Sequence, residues 1–359
     1  MNVTVVGGGN VGTQFAVHAA EKGYKVTIFT SRKDEFNKTL QIIDKHGSII
    51  HKGDILLATD DYVQAFTDAD LIFVTLPSFC MKNFANKIEG VVKPNAKIAL
   101  IPGGGGGECA FKNCIEKGCT VFGLQRVPSV ARLIKYGETV RAVGYRDKLF
   151  AAAIPNNQTE ECCCLLTNML DMVCLPLPNY LNVALTPSNP ILHTTRLRVL
   201  FKDYNKDVPY TRIPYFYEDW DNESSELLLR CDAEVQEICQ ALKEFDVSYV
   251  KSLKEHYESP TPDSLTAKIR GIEGFKGIQT PMIKVVGGWQ PDFNSRYFTA
   301  DFSYGLKMLL DVARLLGICA PNMQETLDWY IAVTGIQAGF SFQDYEILDK
   351  KNFNEFYSL

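Results

Sequence analysis

Histidine is scarce in this chain, with five in 359 residues. Any imidazole chemistry near neutral pH must therefore use His18, His46, His51, His193 or His256. A basic excess is also missing. The net charge of −5 argues against nucleic acid or an anionic membrane as the main partner. No apolar run reaches the roughly 18 residues a membrane helix needs, and no tract is of low complexity. A strand begins at residue 2, so no signal peptide is expected and the chain reads as cytoplasmic. Eleven cysteines are present, yet none form a C-x-x-C pair or a Cys/His cluster with zinc-ligand spacing. Cys109, Cys114 and Cys119 recur every five residues, and Cys162-Cys163-Cys164 are adjacent. They read as reduced core thiols, and no metal is expected.

What is present starts at the N-terminus. Val3-Thr4-Val5-Val6 reads as a buried strand, followed by Gly7-x-Gly9-x-x-Gly12 and a helical pattern over 14–22. Strand, glycine turn and helix in that order make a dinucleotide site. Gly7 forms the tight turn, Gly9 lets backbone approach a pyrophosphate, and Gly12 lets helix pack on strand. The backbone of Asn10 and Val11 opens the helix, whose free N–H groups and dipole favour phosphate. The second strand, 25–30, ends in Thr30-Ser31-Arg32-Lys33, with no acid until Asp34. An NAD site usually offers a carboxylate there for the ribose 2′-hydroxyl. Hydroxyls and a forked cation suit a 2′-phosphate better, so NADP(H) is preferred over NAD(H).

At 359 residues two domains are expected. The first, 1–178, reads as an α/β Rossmann domain with a doubly wound, mostly parallel sheet. Apolar runs at 71–75 and 97–101 are its next strands. They end in Leu76-Pro77-Ser78 and in Pro102 followed by five glycines, 103–107. Strand C-termini face the ligand crevice of such a sheet. Thr75, Leu76, Pro77 and Gly104 are thus cofactor candidates, although a mobile turn would also explain the glycine run. A small hairpin is expected around Lys52-Gly53-Asp54, further short strands at 121–124, 139–143 and 149–153, and a helix at 159–172. The prolines of Leu175-Pro176-Leu177-Pro178 suit a boundary. The second domain, 179–359, reads as mainly α-helical, with helices at 181–185, 191–200, 225–245, 306–316 and 323–332.

Function must come from side chains rather than fold. His18, His46 and His51 read as surface or helix-face residues, and His256 as exposed. His193 follows Asn189 by four residues, so a helix there puts both on one face, turned towards the expected interdomain cleft. A buried, hydrogen-bonded core histidine is the bland reading. Asp301 falls near a helix start, where the dipole favours an acid regardless of function. Arg296 lies just before it.

These residues carry a resemblance. The glycine motif, Asn189-x-x-x-His193, Arg296-Tyr-Phe-x-x-Asp301 with Tyr304-Gly305-Leu306, the stretch Val312 to Pro321, and Pro128-x-x-x-Arg132 resemble the octopine/nopaline-type opine dehydrogenases. The span 209–281 is more weakly similar to the opine-metallophore dehydrogenases. The resemblance implies a Rossmann domain plus a 6-phosphogluconate-dehydrogenase-like helical domain. It implies NAD(P)H-dependent condensation of an amino acid with a 2-oxo acid, these small molecules being the partners. It further implies His193 as acid/base, Asp301 as its orienting partner, and Arg296, Asn189, Gln125 and Arg132 as substrate-binding residues. Two positions depart from the family: Thr194 stands where proline is common, and Gln125 where octopine-type members carry an acid. That second departure argues against a guanidinium-bearing amino donor. A ketopantoate-reductase-like or 2-hydroxyacid dehydrogenase, using Lys202, Lys206 or Lys268, and a non-catalytic NADP(H) sensor stay open as alternatives. A homodimer is compatible with the sequence but not read from it.

Overall fold

Asn2–Val6 (β1) runs through the turn Gly7-Gly8-Gly9 into Asn10–Glu21 (α1). There follow Lys25–Phe29 (β2), Thr39–Ile43 (β3), Ile49–Asp54 (β4), Leu57–Thr59 (β5), Tyr62–Phe66 (α2), Leu71–Val74 (β6) and Ser78–Ile88 (α3). Lys97–Leu100 (β7), Lys112–Glu116 (α4), Thr120–Leu124 (β8), Val130–Lys135 (β9) and Thr139–Val143 (β10) come next. Leu149–Ile154 (β11), Thr159–Leu170 (α5), Cys174–Pro176 (β12) and Leu181–Ala184 (α6) complete this half. The computed structural model describes residues 1–337 and 339–359. They form two units, Met1–Ala184 with Phe353–Leu359, and Leu185–Asn352.

The main sheet of the first unit has the order β12-β11-β8-β7-β6-β1-β2-β5. From β5 to β8 every pairing is parallel, whereas β11 runs antiparallel to β8. Strand order reverses at β1, with β2 on one side and β6 on the other, and such a switch point opens a ligand crevice. β6 and β8 are buried along their whole length, which is why they read as unbroken apolar runs.

A second sheet, β4-β3-β10-β9, covers the outer face of α1. Leu40 and Ile42 of β3 and Val140 and Ala142 of β10 share one core with Phe15, Ala16 and Ala19 of α1 and with Val3 and Val5 of β1. This sheet corrects two expectations. The hairpin turns at 44–48, not at 52–54: Asp44 Oδ1 accepts from the N–H groups of His46 (2.8 Å) and Ser48 (2.9 Å). Gly53 lies within β4, where a Cβ would come 2.6 Å from Ala20 Cβ. His18 is not at the surface but 3% exposed, because β4 packs over it. Burial, and then the nearby His51, push its pKa down to about 4, so the ring is neutral at pH 7.

Leu175 and Pro176 are not linker. They belong to edge strand β12, where a missing N–H is tolerated, and the units divide between Ala184 and Leu185. The glycine run is a packed loop rather than a mobile turn. Gly105 and Gly106 adopt φ of +81° and +73°, and the buried Tyr180 hydroxyl donates to Gly103 O at 3.0 Å. Beneath it lies Glu108, fully buried, accepting at Oε1 from the Tyr357 hydroxyl at 2.6 Å.

In the second unit Asn189–Leu200 (α7) and Asn222–Ala241 (α8) lead. Leu253–His256 (α9), Pro262–Gly271 (α10), the hairpin Met282–Val285 (β13) and Gly288–Pro291 (β14), and Arg296–Thr299 (α11) follow. A π-helical turn, Asp301–Leu306, runs into Lys307–Leu316 (α12), then Pro321–Thr334 (α13) and Lys350–Tyr357 (α14), the last straddling the division between units. Asp221 caps α8 by accepting from Ser224 N–H at 2.7 Å. Glu234 of α8 caps α13, accepting from the N–H groups of Asn322 (2.7 Å) and Met323 (2.9 Å). Gly317, at φ +70°, ends α12.

Burial raises the Glu108 pKa to about 7 from an ordinary 4.5. Between those values the folded chain keeps a proton that the unfolded chain has lost. The resulting stability is complete below pH 4.5 and lost as pH rises through 7. Glu108→Gln is expected to flatten the fall in Tm between pH 5 and 8; an unchanged slope would remove Glu108 as its source.

Candidate functional site

In the first unit the glycine turn lies at the switch point. Gly7 has φ +97°, and a Cβ on Gly12 would lie 1.9 Å from Gly7 O. The Thr75 hydroxyl, at the end of β6, donates to Val6 O at 2.8 Å and fixes the crevice wall. Around the Cβ position of Gly9 nothing approaches within 4 Å. Thr13 is the first residue of α1 whose N–H bonds back, to Gly9 O at 2.9 Å. No side chain caps the helix and no acid stands in its first turn. Open space before uncapped N–H groups fits a pyrophosphate. Leu76 and Pro77 are half-buried at the same strand end, as is Gly104 in its loop.

Some cofactor candidates have different surroundings from those expected. The Asn10 side chain accepts from Leu133 N–H at 2.7 Å, tying α1 to β9. Its Oδ1 is thereby used, and its backbone stays at the helix start. Arg32 forks onto Glu35, with Nε donating to Oε1 at 2.5 Å and Nη2 to Oε2, while its guanidinium lies 3.7 Å above the Tyr136 ring. The Tyr136 and Thr30 hydroxyls are 3.0 Å apart, and Phe36 packs edge-on to Tyr136. Ser31 is exposed beside them. Tyr136 escapes a reading of the sequence because it is about a hundred residues from the Thr30 it meets at the end of β2.

The second unit brings His193 and Asp301 together. The imidazole is 6% exposed; Nδ1 lies 2.7 Å from Asp301 Oδ2 and Nε2 2.9 Å from the Tyr217 hydroxyl. An ionised carboxylate accepts, so Nδ1 carries the hydrogen and Nε2 of the neutral ring is the basic atom. The Tyr297 ring lies tilted against it, centroids 4.3 Å apart, and Phe216 meets it edge-on at 5.3 Å. The site is therefore neither a sealed hydrocarbon interior nor open solvent.

Each contact has a local cause. Gly305 lets the π turn close on α7, since a Cβ there would meet Pro190 Cγ at 2.7 Å, and this carries Asp301 to His193. Such turns recur at functional sites. One helical turn after His193, the buried Arg196 donates to Phe216 O (3.2 Å), Asp219 O (2.5 Å), Ser224 Oγ (3.1 Å) and Asp221 Oδ2 (2.8 Å). It thus seats the loop that bears Tyr217. Thr194 leaves α7 unbroken to Leu200, its hydroxyl donating to Pro190 O at 2.6 Å.

The remaining candidates differ in exposure and in partners within their own units. Asn189 is exposed at the start of α7, and Arg296 is exposed on α11, two residues before buried Phe298. In the first unit Gln125 Nε2 donates to Asn182 O at 3.1 Å. Arg132, exposed on β9, donates to Ala131 O at 2.9 Å. Lys202 pairs with Glu223 and Lys268 with Glu258, both at the surface. Tyr217 is the functional candidate the sequence reading missed; the aromatic density of Tyr215-Phe216-Tyr217 and Trp220 was its only signal.

Residues 176–334 match the family model of the NAD/NADP octopine/nopaline dehydrogenase alpha-helical domain. Residues 2–109 match that of the NAD-dependent glycerol-3-phosphate dehydrogenase N-terminus. The chain is similar to the octopine/nopaline-type dehydrogenases. Tauropine dehydrogenase of Arabella iricolor is 24% identical, over 91% of this chain and 90% of its own length. A structure of octopine dehydrogenase with NADH and pyruvate superposes with a TM-score of 0.84 at 23% identity, covering 98% of this chain and 97% of that one. Yersinopine dehydrogenase with NADP+ bound superposes at 0.68 and 12% identity, covering 98% and 96%. The chain thus shares its fold with proteins whose structures hold either coenzyme.

The two glycines separate fold from ligand. Gly12→Ala is expected to destabilise by about 2–3 kcal/mol through overpacking. Gly9→Ala should leave Tm unchanged yet weaken coenzyme binding, measured by fluorescence titration. Unaltered binding in Gly9→Ala would show that the open space holds no phosphate.

Proposed function

We propose that the chain catalyses NAD(P)H-dependent reductive condensation of an amino acid with a 2-oxo acid, and the reverse oxidation, in the cytoplasm. The paired His193 and Asp301 within an aromatic cage carry this reading, since an idle coenzyme sensor has no need to orient an imidazole. The coenzyme, held by the backbone at Gly7, Gly9, Asn10, Val11 and Gly12 and flanked by Thr75, Leu76, Pro77 and Gly104, supplies a hydride when bound. All other steps belong to the chain.

Amine addition to the oxo carbon gives a carbinolamine, which loses water to become an imine. His193 Nε2, in the place the Tyr217 hydroxyl now takes, accepts protons from the adding amine nitrogen and passes them to the former oxo oxygen, which leaves as water; the reverse reaction runs the same transfers backwards. Asp301 at Nδ1 holds the tautomer and stabilises the imidazolium. Arg296, whose guanidinium has no protein partner among the described residues, grips a substrate carboxylate with two parallel hydrogen bonds. Asn189 and Arg132 stand as further substrate contacts. Neutral Gln125 favours an amino donor without a guanidinium.

The test is 2-oxo acid reduction with and without added amino acid. Coenzyme oxidation is expected only with the amine; equal rates without it would replace this reading with a hydroxyacid dehydrogenase. His193→Ala should lower kcat by about two orders of magnitude or more while leaving coenzyme affinity intact.

We further propose a preference for NADP(H), with the 2′-phosphate taking Glu35's place on Arg32 beside Thr30 and Ser31. Arg32→Ala should then weaken NADPH binding roughly tenfold and NADH little, and Glu35→Gln should tighten NADPH. Equal effects on both coenzymes in titrations would overturn the preference.

A further inference from the structure

His18 and Glu21 of α1 and His51 of β4 each place one ligand atom within 4.8 Å of the others. We propose that they form a site for a borderline divalent transition ion of the zinc class, which would bolt the last turn of α1 to the outer sheet. Nothing in the proposed dehydrogenase chemistry uses these groups.

Three observations support the site. First, His18 Nε2 is buried with no hydrogen-bond partner, an orphan the fold would ordinarily satisfy. Its ring centroid lies 4.5 Å from that of His51. Second, Glu21 is already aimed: Oε2 lies 2.7 Å from His51 Nδ1, and Oε1 accepts from Lys52 N–H at 3.3 Å. A cation here replaces the proton shared by His51 and Glu21. Third, the site lies at the C-terminal end of α1, where the helix dipole favours positive charge.

Two imidazoles and one carboxylate select zinc, cobalt or nickel over magnesium or calcium. Ligand bonds of about 2.0–2.2 Å require the three groups to draw closer than they now are. The partly exposed side chains of His51 and Glu21, at 27% and 35%, have room for this. Lys22 is adjacent but is neutralised by Asp171 at 2.6 Å.

The test is titration of the whole protein with Zn2+ against a chromophoric chelator, alongside Co2+ absorption spectroscopy and thermal denaturation. One ion per chain is expected, with d–d bands of nitrogen and oxygen ligation and a raised Tm. His51→Ala, a partly exposed position, should weaken binding roughly tenfold or more and abolish the Tm rise. Glu21→Gln should do the same, and coenzyme affinity should be unchanged in both. No binding by the wild type, wild-type affinity in both variants, or a thiolate-to-cobalt charge-transfer band placing the ion on cysteine would overturn the proposal.

Discussion

A hydrogen bond of 2.7 Å between His193 and Asp301 is the constraint on which the second unit's arrangement turns. To bring a carboxylate from a π turn against a ring one hundred and eight positions earlier, α7 and that turn must approach closely. Gly305 against Pro190 makes the approach sterically possible. The opposite nitrogen is fixed independently, through Arg196 and the loop it seats. A buried guanidinium with four acceptors is costly to leave unmet and therefore holds its partners firmly. Two unrelated packing events thus lock one imidazole from both sides, which is what a directed proton transfer requires.

The first unit solves a different problem. A phosphate needs backbone N–H groups with nothing in front of them, while the surrounding core must be close-packed. The chain meets both demands by dividing them among neighbouring glycines. Gly12 is glycine because Gly7 O fills its Cβ space, and Gly8 because Phe36 and Tyr136 do, whereas Gly9 faces open space. Outside, the four-stranded sheet presses α1 onto the main sheet, so the helix proposed to face the phosphates is held on both faces.

Much of this was legible in the residues. Apolar runs gave β1, β2, β6, β7, β8 and β11, since strands buried on both faces have no polar positions to confuse their period. The helices α7, α8, α12 and α13 followed from spacing and stops. The strand Thr39–Ile43 was missed, and with it the true hairpin turn and the burial of His18, because five residues of mixed polarity carry too little period to stand out. The pairing of Arg32 with Glu35 was missed for a different reason. Asp34 drew attention as the nearest acid, whereas the short helical turn Lys33–Glu35 brings the next one round. Likewise His18, Glu21 and His51 share no metal-ligand spacing, since a loop and two strands separate His51 from the helix.

By itself the sequence determined the strand, glycine turn and helix start of the proposed dinucleotide site, because these are local properties of a dozen consecutive residues. It determined the two-part architecture and singled out His193, since composition and period are local too. Only tertiary structure decided what touches His193 Nε2, which cation-binding groups meet across α1 and β4, and which carboxylate occupies Arg32. Those are contacts between distant segments, set by the packing of whole elements, and residue spacing carries no measure of that distance.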